Sequence, residues 1–150
     1  MRGVPSRLSA ASSPTAPREV FTKTSHSVTI TALPQYLVEQ SEPARNHFVW
    51  AYTIHIQNDG AATVQLLNRH WHITDAFGRS QHVRGPGVVG KQPVLRPGES
   101  FRYTSGVPLT TPSGFMEGEY EMQFIDSGAT FEAQIPLFSL DSPFENSKPN

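Results

Sequence analysis

His70 and His72 stand two positions apart in the segment RHWHI. Alternate residues of an extended strand share a face, so the two imidazoles would point the same way and could share one divalent metal ion. A stable site needs a third or fourth ligand, and no carboxylate announces itself nearby. Two solvated or hydrogen-bonded strand histidines are the alternative reading. Glu117, Glu119 and Glu121 also share a face at period two. Carboxylates grouped this way can exchange protons or hold Mg²⁺. Equally, they are the wet side of a strand whose other side is Tyr120, Met122 and Phe124.

A third pattern lies in GPGVVG, where Gly85, Gly87 and Gly90 carry the G-x-G-x-x-G spacing of a dinucleotide-binding loop. That loop works because a helix follows it and aims its N-terminus at a pyrophosphate. Here KQPVLRPGES follows, and Pro93 and Pro97 deny a helix its free N–H groups. The dinucleotide reading fails on context, and no cofactor is expected. Two readings remain. The glycines permit a positive-φ loop crossing between sheets, or their N–H groups form a nest for an anion such as pyrophosphate or a nucleotide's phosphates. In the second reading Arg84, Gly85, Gly87, Gly90 and Lys91 are the candidate anion-binding residues. Charge supports it: Arg79, Arg84, Lys91, Arg96 and Arg102 are opposed only by Glu99, whereas the chain after Glu117 is acidic.

The elements that must position these residues are strands. FVWAYTIHIQ places Phe48, Trp50, Tyr52, Ile54 and Ile56 on one face, and SHSVTITAL does the same with Val28, Ile30 and Ala32. VQLLNRHWHIT puts Leu67, Trp71 and Ile73 together, with Arg69 on the face of Trp71, where it stacks on the ring or caps the sandwich edge. SFRYTSG, EYEMQFI and TFEAQIPLF follow, the last with Phe131, Ala133 and Ile135 aligned. Turns are signalled by Asn58-Asp59-Gly60, DAFG at 75–78, Pro97-Gly98 and DSG at 126–128. No apolar pattern at helical spacing persists for ten positions or more. Seven or so strands with frequent turns predict an all-β, antiparallel β-sandwich of fibronectin type III or immunoglobulin type. Trp50 and Trp71 are expected to fill its core.

Composition narrows the function classes. The chain has 150 residues and no cysteine, which removes disulfides, thiolate metal sites and a cysteine nucleophile. A net charge of −1 gives no global pull onto nucleic acid or a membrane, and no apolar run is long enough to cross a bilayer. No G-x-S-x-G elbow or triad is recognisable, so a non-enzyme is expected. Residues 1–18 are rich in Ser, Ala and Pro and carry three arginines. They read as flexible chain, with a loose likeness to an organelle transit peptide but no clear amphipathic helix. The sequence thus divides into a flexible segment 1–23, a domain 24–143 and a frayed end 144–150.

LLNRHWHITDAFG at 66–78, VRGPGVVGKQPVLRPGESFRYTSG at 83–106 and LTTPSGFMEGEYEM at 109–122 together resemble the ApaG family. The likeness spans about residues 24–140, and Gly85, Gly87 and Gly90 match the family's glycine loop. It implies a fibronectin type III-like sandwich and a bacterial cytosolic protein. The family has been associated with cobalt and magnesium resistance, and eukaryotic members are appended to F-box and polymerase-interacting proteins as partner-binding modules. His72 departs from the aliphatic residue that many relatives carry.

These readings make the chain a cytoplasmic, non-catalytic interaction module. It would contact an unidentified protein partner through the 84–91 loop, or a second copy of itself through exposed strand edges. Anion binding at that loop is the alternative, and divalent-metal handling through His70 and His72 the weaker one.

Overall fold

The computed structural model of the protein describes residues 19–144. The strands are β1 (Phe21–Ser25), β2 (Val28–Tyr36), β3 (Phe48–Asn58), β4 (Val64–Asp75), β5 (Ser80–Pro86), β6 (Val94–Leu95), β7 (Ser100–Leu109), β8 (Gly114–Phe124) and β9 (Thr130–Leu140). Two single 3-10 turns, Val38–Gln40 and Pro43–Arg45, lie between β2 and β3. All pairings are antiparallel, in two sheets ordered β1-β2-β3-β7 and β5-β4-β8-β9, with β6 pairing to β4 beyond the end of β5. The antiparallel sandwich predicted from the alternation is the fold observed.

Period-two sequences explain the layers. In β3 the inward set, Phe48, Trp50, Tyr52, Ile54 and Ile56, is buried, and the residues between them are only half-buried. Trp71 and Ile73 of β4 and Tyr120 and Met122 of β8 meet them from the second sheet. Trp50, Tyr120 and Phe138 are almost wholly enclosed, and each such side chain contributes about 1.5–3 kcal/mol by leaving water. Trp50 places its polar tip too, its Nε1–H donating to the Asp141 carbonyl at 2.8 Å. Turns form where the sequence marks them. Asp75 Oδ1 accepts from the amides of Phe77 and Arg79, and Gly78 and Gly98 supply positive φ.

Three local expectations need correction. β1 begins at Phe21, inside the segment 1–23 expected to be flexible, because Phe21 packs on Phe138 with ring centroids 6.2 Å apart. His26 and Ser27, both at positive φ, turn the chain into β2 without the glycine that usually marks such a hairpin. Leu67 does not share the inward face of Trp71 and Ile73: the β4–β8 register shifts between Leu66 and Asn68, so Leu66 is buried instead. Phe144, placed in the frayed end, contacts Tyr36 and Phe48 at centroid distances of 6.3 and 6.1 Å. The flexible chain expected at 1–18 and the remainder of the end, 145–150, lie outside the described residues.

The two flanks of the sandwich differ. On one, β9 lies against β1 and β2, and the Gln134 amide donates to Ser25 Oγ. On the other, β5 pairs with β4 alone, and a cleft of about 480 Å³ lined by Ile73, Ser80, Gln81, Pro108 and Leu109 separates it from the end of β7. The outer faces differ as well. The first sheet is tiled with threonines, paired as Thr24 with Thr29 at 2.9 Å and Thr53 with Thr104 at 2.7 Å. The second carries His70, His72, His82, the glutamates of β8 and Arg84. No helix among the described residues is long and apolar enough to cross a membrane.

Candidate functional site

Cross-strand register assembles the outer face of the second sheet. His72 of β4 lies opposite His82 of β5 and Glu117 of β8, and His70 lies between Arg84 and Glu119. Glu119 Oε2 is 2.6 Å from His70 Nδ1, and a carboxylate only accepts, so Nδ1 donates. His70 Nε2 and His82 Nδ1 lie 2.7 Å apart and share a hydrogen bond. The His82 ring is stacked between those of His72 and His70, at 4.3 and 5.0 Å between centroids. Desolvation by these neighbours, then the proximity of His72, His70 and Arg84, holds the His82 imidazole below the usual histidine range against the opposing pull of Glu119. The sequence reading brings His70 and His72 to one face, as observed, but each ring faces a glutamate and His82. Among the described residues no three His, Cys, Asp or Glu side chains form a group that could hold a metal ion.

Glu117, Glu119 and Glu121 line the outer face in register with these groups. Asn68 Nδ2 donates to Glu121 at 2.6 Å, and Glu117 is 3.9 Å from His72 Nδ1. Arg84 and Lys91 form no ion pair among the described residues.

The glycine segment is an interruption in the edge strand. After β5 the chain leaves the sheet, makes a two-residue hairpin closed by reciprocal Val88–Lys91 amide bonds of 2.8 and 2.9 Å, and returns as β6. Val89 and Gly90 at its tip both have positive φ. Val88 is buried, which anchors the hairpin, and Val89 projects outward. Gly87 is indispensable here: its φ is +61° and a Cβ would stand 2.3 Å from the Lys91 carbonyl oxygen. The amides of Gly87, Val88 and Lys91 are therefore committed, to Leu67, Lys91 and Val88 carbonyls respectively. Only the Val89 and Gly90 amides project from the tip, a smaller donor set than the anion-nest reading of Gly85, Gly87 and Gly90 supposes.

Arg69, on the inward side of β4, reaches beneath the segment. Its Nη1 donates to the carbonyls of Pro86 and Gly87 at 2.9 and 3.0 Å, so it caps the sandwich edge, one of its two expected roles. Inward of it, burial pushes the hydroxyls of Tyr52, Tyr103 and Tyr120 above the usual tyrosine range, and Tyr103 and Tyr120 share a hydrogen bond. A cleft of about 780 Å³ opens between the end of β5 and the outer faces of β8 and β9, lined by Arg84, Gly85, Pro86, Glu119, Glu121 and Phe131 among others.

Backbone polarity completes the site. Asp75 N donates to Arg79 O and Gly87 N to Leu67 O, so odd-numbered residues of the intervening strand face β4. By the same alternation, the N–H and C=O of Ser80, His82 and Arg84, and the C=O of Pro86, face away from the sheet. Every β5 residue except the half-buried Gly85 is exposed, including Val83 at 38%. His82 and this free edge escaped the sequence reading. The alternation in SQHVRG was available as a signal, but its weak apolar character hides a strand that buries little.

Comparison with known proteins agrees with this geometry. The ApaG domain family matches residues 38–124. Protein ApaG of Rhodospirillum centenum is 58% identical over 131 residues, covering 87% of this chain and all of the relative. Protein ApaG of Paramagnetospirillum magneticum is 57% identical over the same shares. A crystal structure of a Bordetella pertussis protein designated ApaA superposes with a TM-score of 0.75 at 45% identity, covering 87% of this chain and 98% of that one. With the family model matching more than half of the chain and relatives more than half identical over most of it, the chain belongs to the ApaG domain family.

Proposed function

We propose that this chain is a non-catalytic, cytoplasmic interaction module that docks a protein partner along the free edge of β5 and the adjoining glycine hairpin. The observation that carries the reading is the exposure of β5: a seven-residue strand, paired on one side, with the outward amides and carbonyls of Ser80, His82 and Arg84 uncovered. Such an edge recruits another strand unless it is blunted or occupied. Val89 adds an exposed apolar side chain at the hairpin tip, in a backbone conformation that a β-branched residue rarely adopts. Strain of this kind is retained where the surroundings hold it in place, and it concentrates at functional surfaces.

The test is site-specific cross-linking in cells. A photo-reactive amino acid at Gln81 or Val89 is expected to trap one protein partner, whereas the same group at Thr31, on the threonine face, is not. Equal trapping from all three positions, or from Thr31 alone, would remove β5 as the docking edge. Trapping of a second copy of this chain would make the edge a self-association surface.

A further inference from the structure

We propose that the segment received by β5 is an extended strand of another protein whose side chains alternate between acidic and apolar, with the acids beside His82 and Arg84. This rests on the reading of β5 as a docking edge and adds the partner's chemistry.

The argument begins with the two faces of the strand. His82 and Arg84 project from the outer face, beside His72 and His70. Gln81, Val83 and Gly85 point toward the interior, opposite Ile73, Trp71 and Arg69. A strand added at the usual spacing of about 4.8 Å would set its own outward side chains directly beside His82 and Arg84. Arg84 has no carboxylate partner among the described residues, and β5 contains no acid. The glutamates of β8 are a strand further away and already face His70, His72 and Asn68. An acidic residue on the incoming strand would thus meet an unopposed cation, whereas a basic one would meet like charge.

The inward side asks for the opposite. Val83 is 38% exposed although its cross-strand partner Trp71 is buried, because no strand of the facing sheet covers it. The cleft between β5 and β7 is walled by Ile73, Pro108 and Leu109. Apolar residues at alternate positions would cover this surface. The segment is short: Pro86 has no N–H, and the hairpin beyond it leaves the sheet. Donors of Ser80, His82 and Arg84 define the length read.

β7 presents the rival edge. Its inward residues Tyr103, Val107 and Leu109 are already buried, and Pro108 removes one outward donor. Added pairing there gains less apolar cover.

The probe is a synthetic peptide alternating glutamate and valine, titrated into the isotope-labelled full chain, with a lysine–valine peptide of equal length as control. Saturable amide shifts at Ser80, His82 and Arg84, with slowed hydrogen exchange there, are expected for the acidic peptide alone. Arg84→Glu should weaken that binding on the order of tenfold and improve binding of the basic peptide. Arg84 is exposed, so this exchange leaves the fold intact, and Arg102→Glu on β7 serves as the matched control with no effect. Equal affinity for both peptides, no shift in β5, or shifts confined to β7 would overturn the proposal. Cross-linking at Gln81 to a partner that lacks such a segment would sink the partner chemistry and leave the docking edge standing.

Discussion

The guanidinium of Arg69 occupies the space that a side chain on Gly85 would need: a Cβ there would stand 2.9 Å from Nη2. Gly85 is thus small for the sake of its cross-strand neighbour, which reaches past it to the carbonyls of Pro86 and Gly87. Gly85→Ala should push the guanidinium aside and cost about 1–2 kcal/mol, the worth of a pair of partly exposed charge-assisted hydrogen bonds. Arg69→Gln should cost a similar amount. Both act on one contact, so the double variant should lose little more than either single one in denaturant titrations. Additive losses would mean that the two residues act separately.

Gly118 answers to a stricter constraint. A Cβ there would meet the His70 carbonyl oxygen at 2.1 Å, and backbone cannot swing away as a guanidinium can. Gly118→Ala must therefore part β4 from β8 beside the histidine row. A loss of about 2–3 kcal/mol is expected, at the upper end of overpacking costs, with amide shifts spreading to His70 and Trp71. An unchanged denaturation midpoint would show that the sheet gives way more easily than its geometry implies.

How much of this was legible beforehand divides along physical lines. Alternation across Phe48–Ile56 and Tyr120–Met122 reads directly as strand, since burying every second side chain leaves an unmistakable pattern. The turns at Asp75–Gly78 and Pro97–Gly98 carry their own chemistry. Behind the glycine spacing the prolines deny a helix its start, and a hairpin and β6 follow instead. The bulge at Leu67 was not visible, because a one-residue slip exchanges faces without changing composition. The clamp by Arg69 and the placing of His82 between His70 and His72 depend on which strands become neighbours, and a single sequence does not encode that locally.

The hairpin tip carries a correctable strain. Val89 has φ of 42°, and a type I′ pair of central residues favours Asn-Gly. Val89→Asn should stabilise the chain by roughly 1 kcal/mol by relieving that conformation. The side chain is exposed, so little packing is lost in return. A lower melting temperature in the variant would show that Val89 earns its place through contacts within the chain, and would remove strain as an argument for function at the tip.

Amide accounting makes the anion question measurable. Gly87, Val88 and Lys91 N–H groups already have carbonyl acceptors inside the hairpin. Titrating pyrophosphate should leave these three amides unmoved at moderate salt, with any response limited to the free Val89 and Gly90 amides and the Arg84 and Lys91 side chains and fading as ionic strength rises. A saturable, salt-resistant shift of the three amides would restore the loop as a phosphate site.

Acid should loosen the β5 edge through His82. Its neighbours disfavour the charged ring, so the folded chain takes up this proton at lower pH than the unfolded chain, whose histidine titrates near about 6.5. The sign follows: as pH falls through that value the unfolded state gains the proton first, and stability declines until the folded ring is protonated too. The protonated ring would then face His72, His70 and Arg84, with Glu119 opposing them. Asp75 does not confuse the window. Desolvation would raise its carboxyl, but the amides of Arg79 and Phe77 and the Arg79 side chain outweigh it and hold it below the usual aspartate range, so it stays ionised throughout. Unfolding followed by denaturant between pH 8 and pH 5.5 should show wild type losing more stability than His82→Asn, with faster amide exchange at Gln81 and Val83 on the acid side. Parallel losses in the two proteins would assign the acid sensitivity to another group and leave the histidine stack as packing alone.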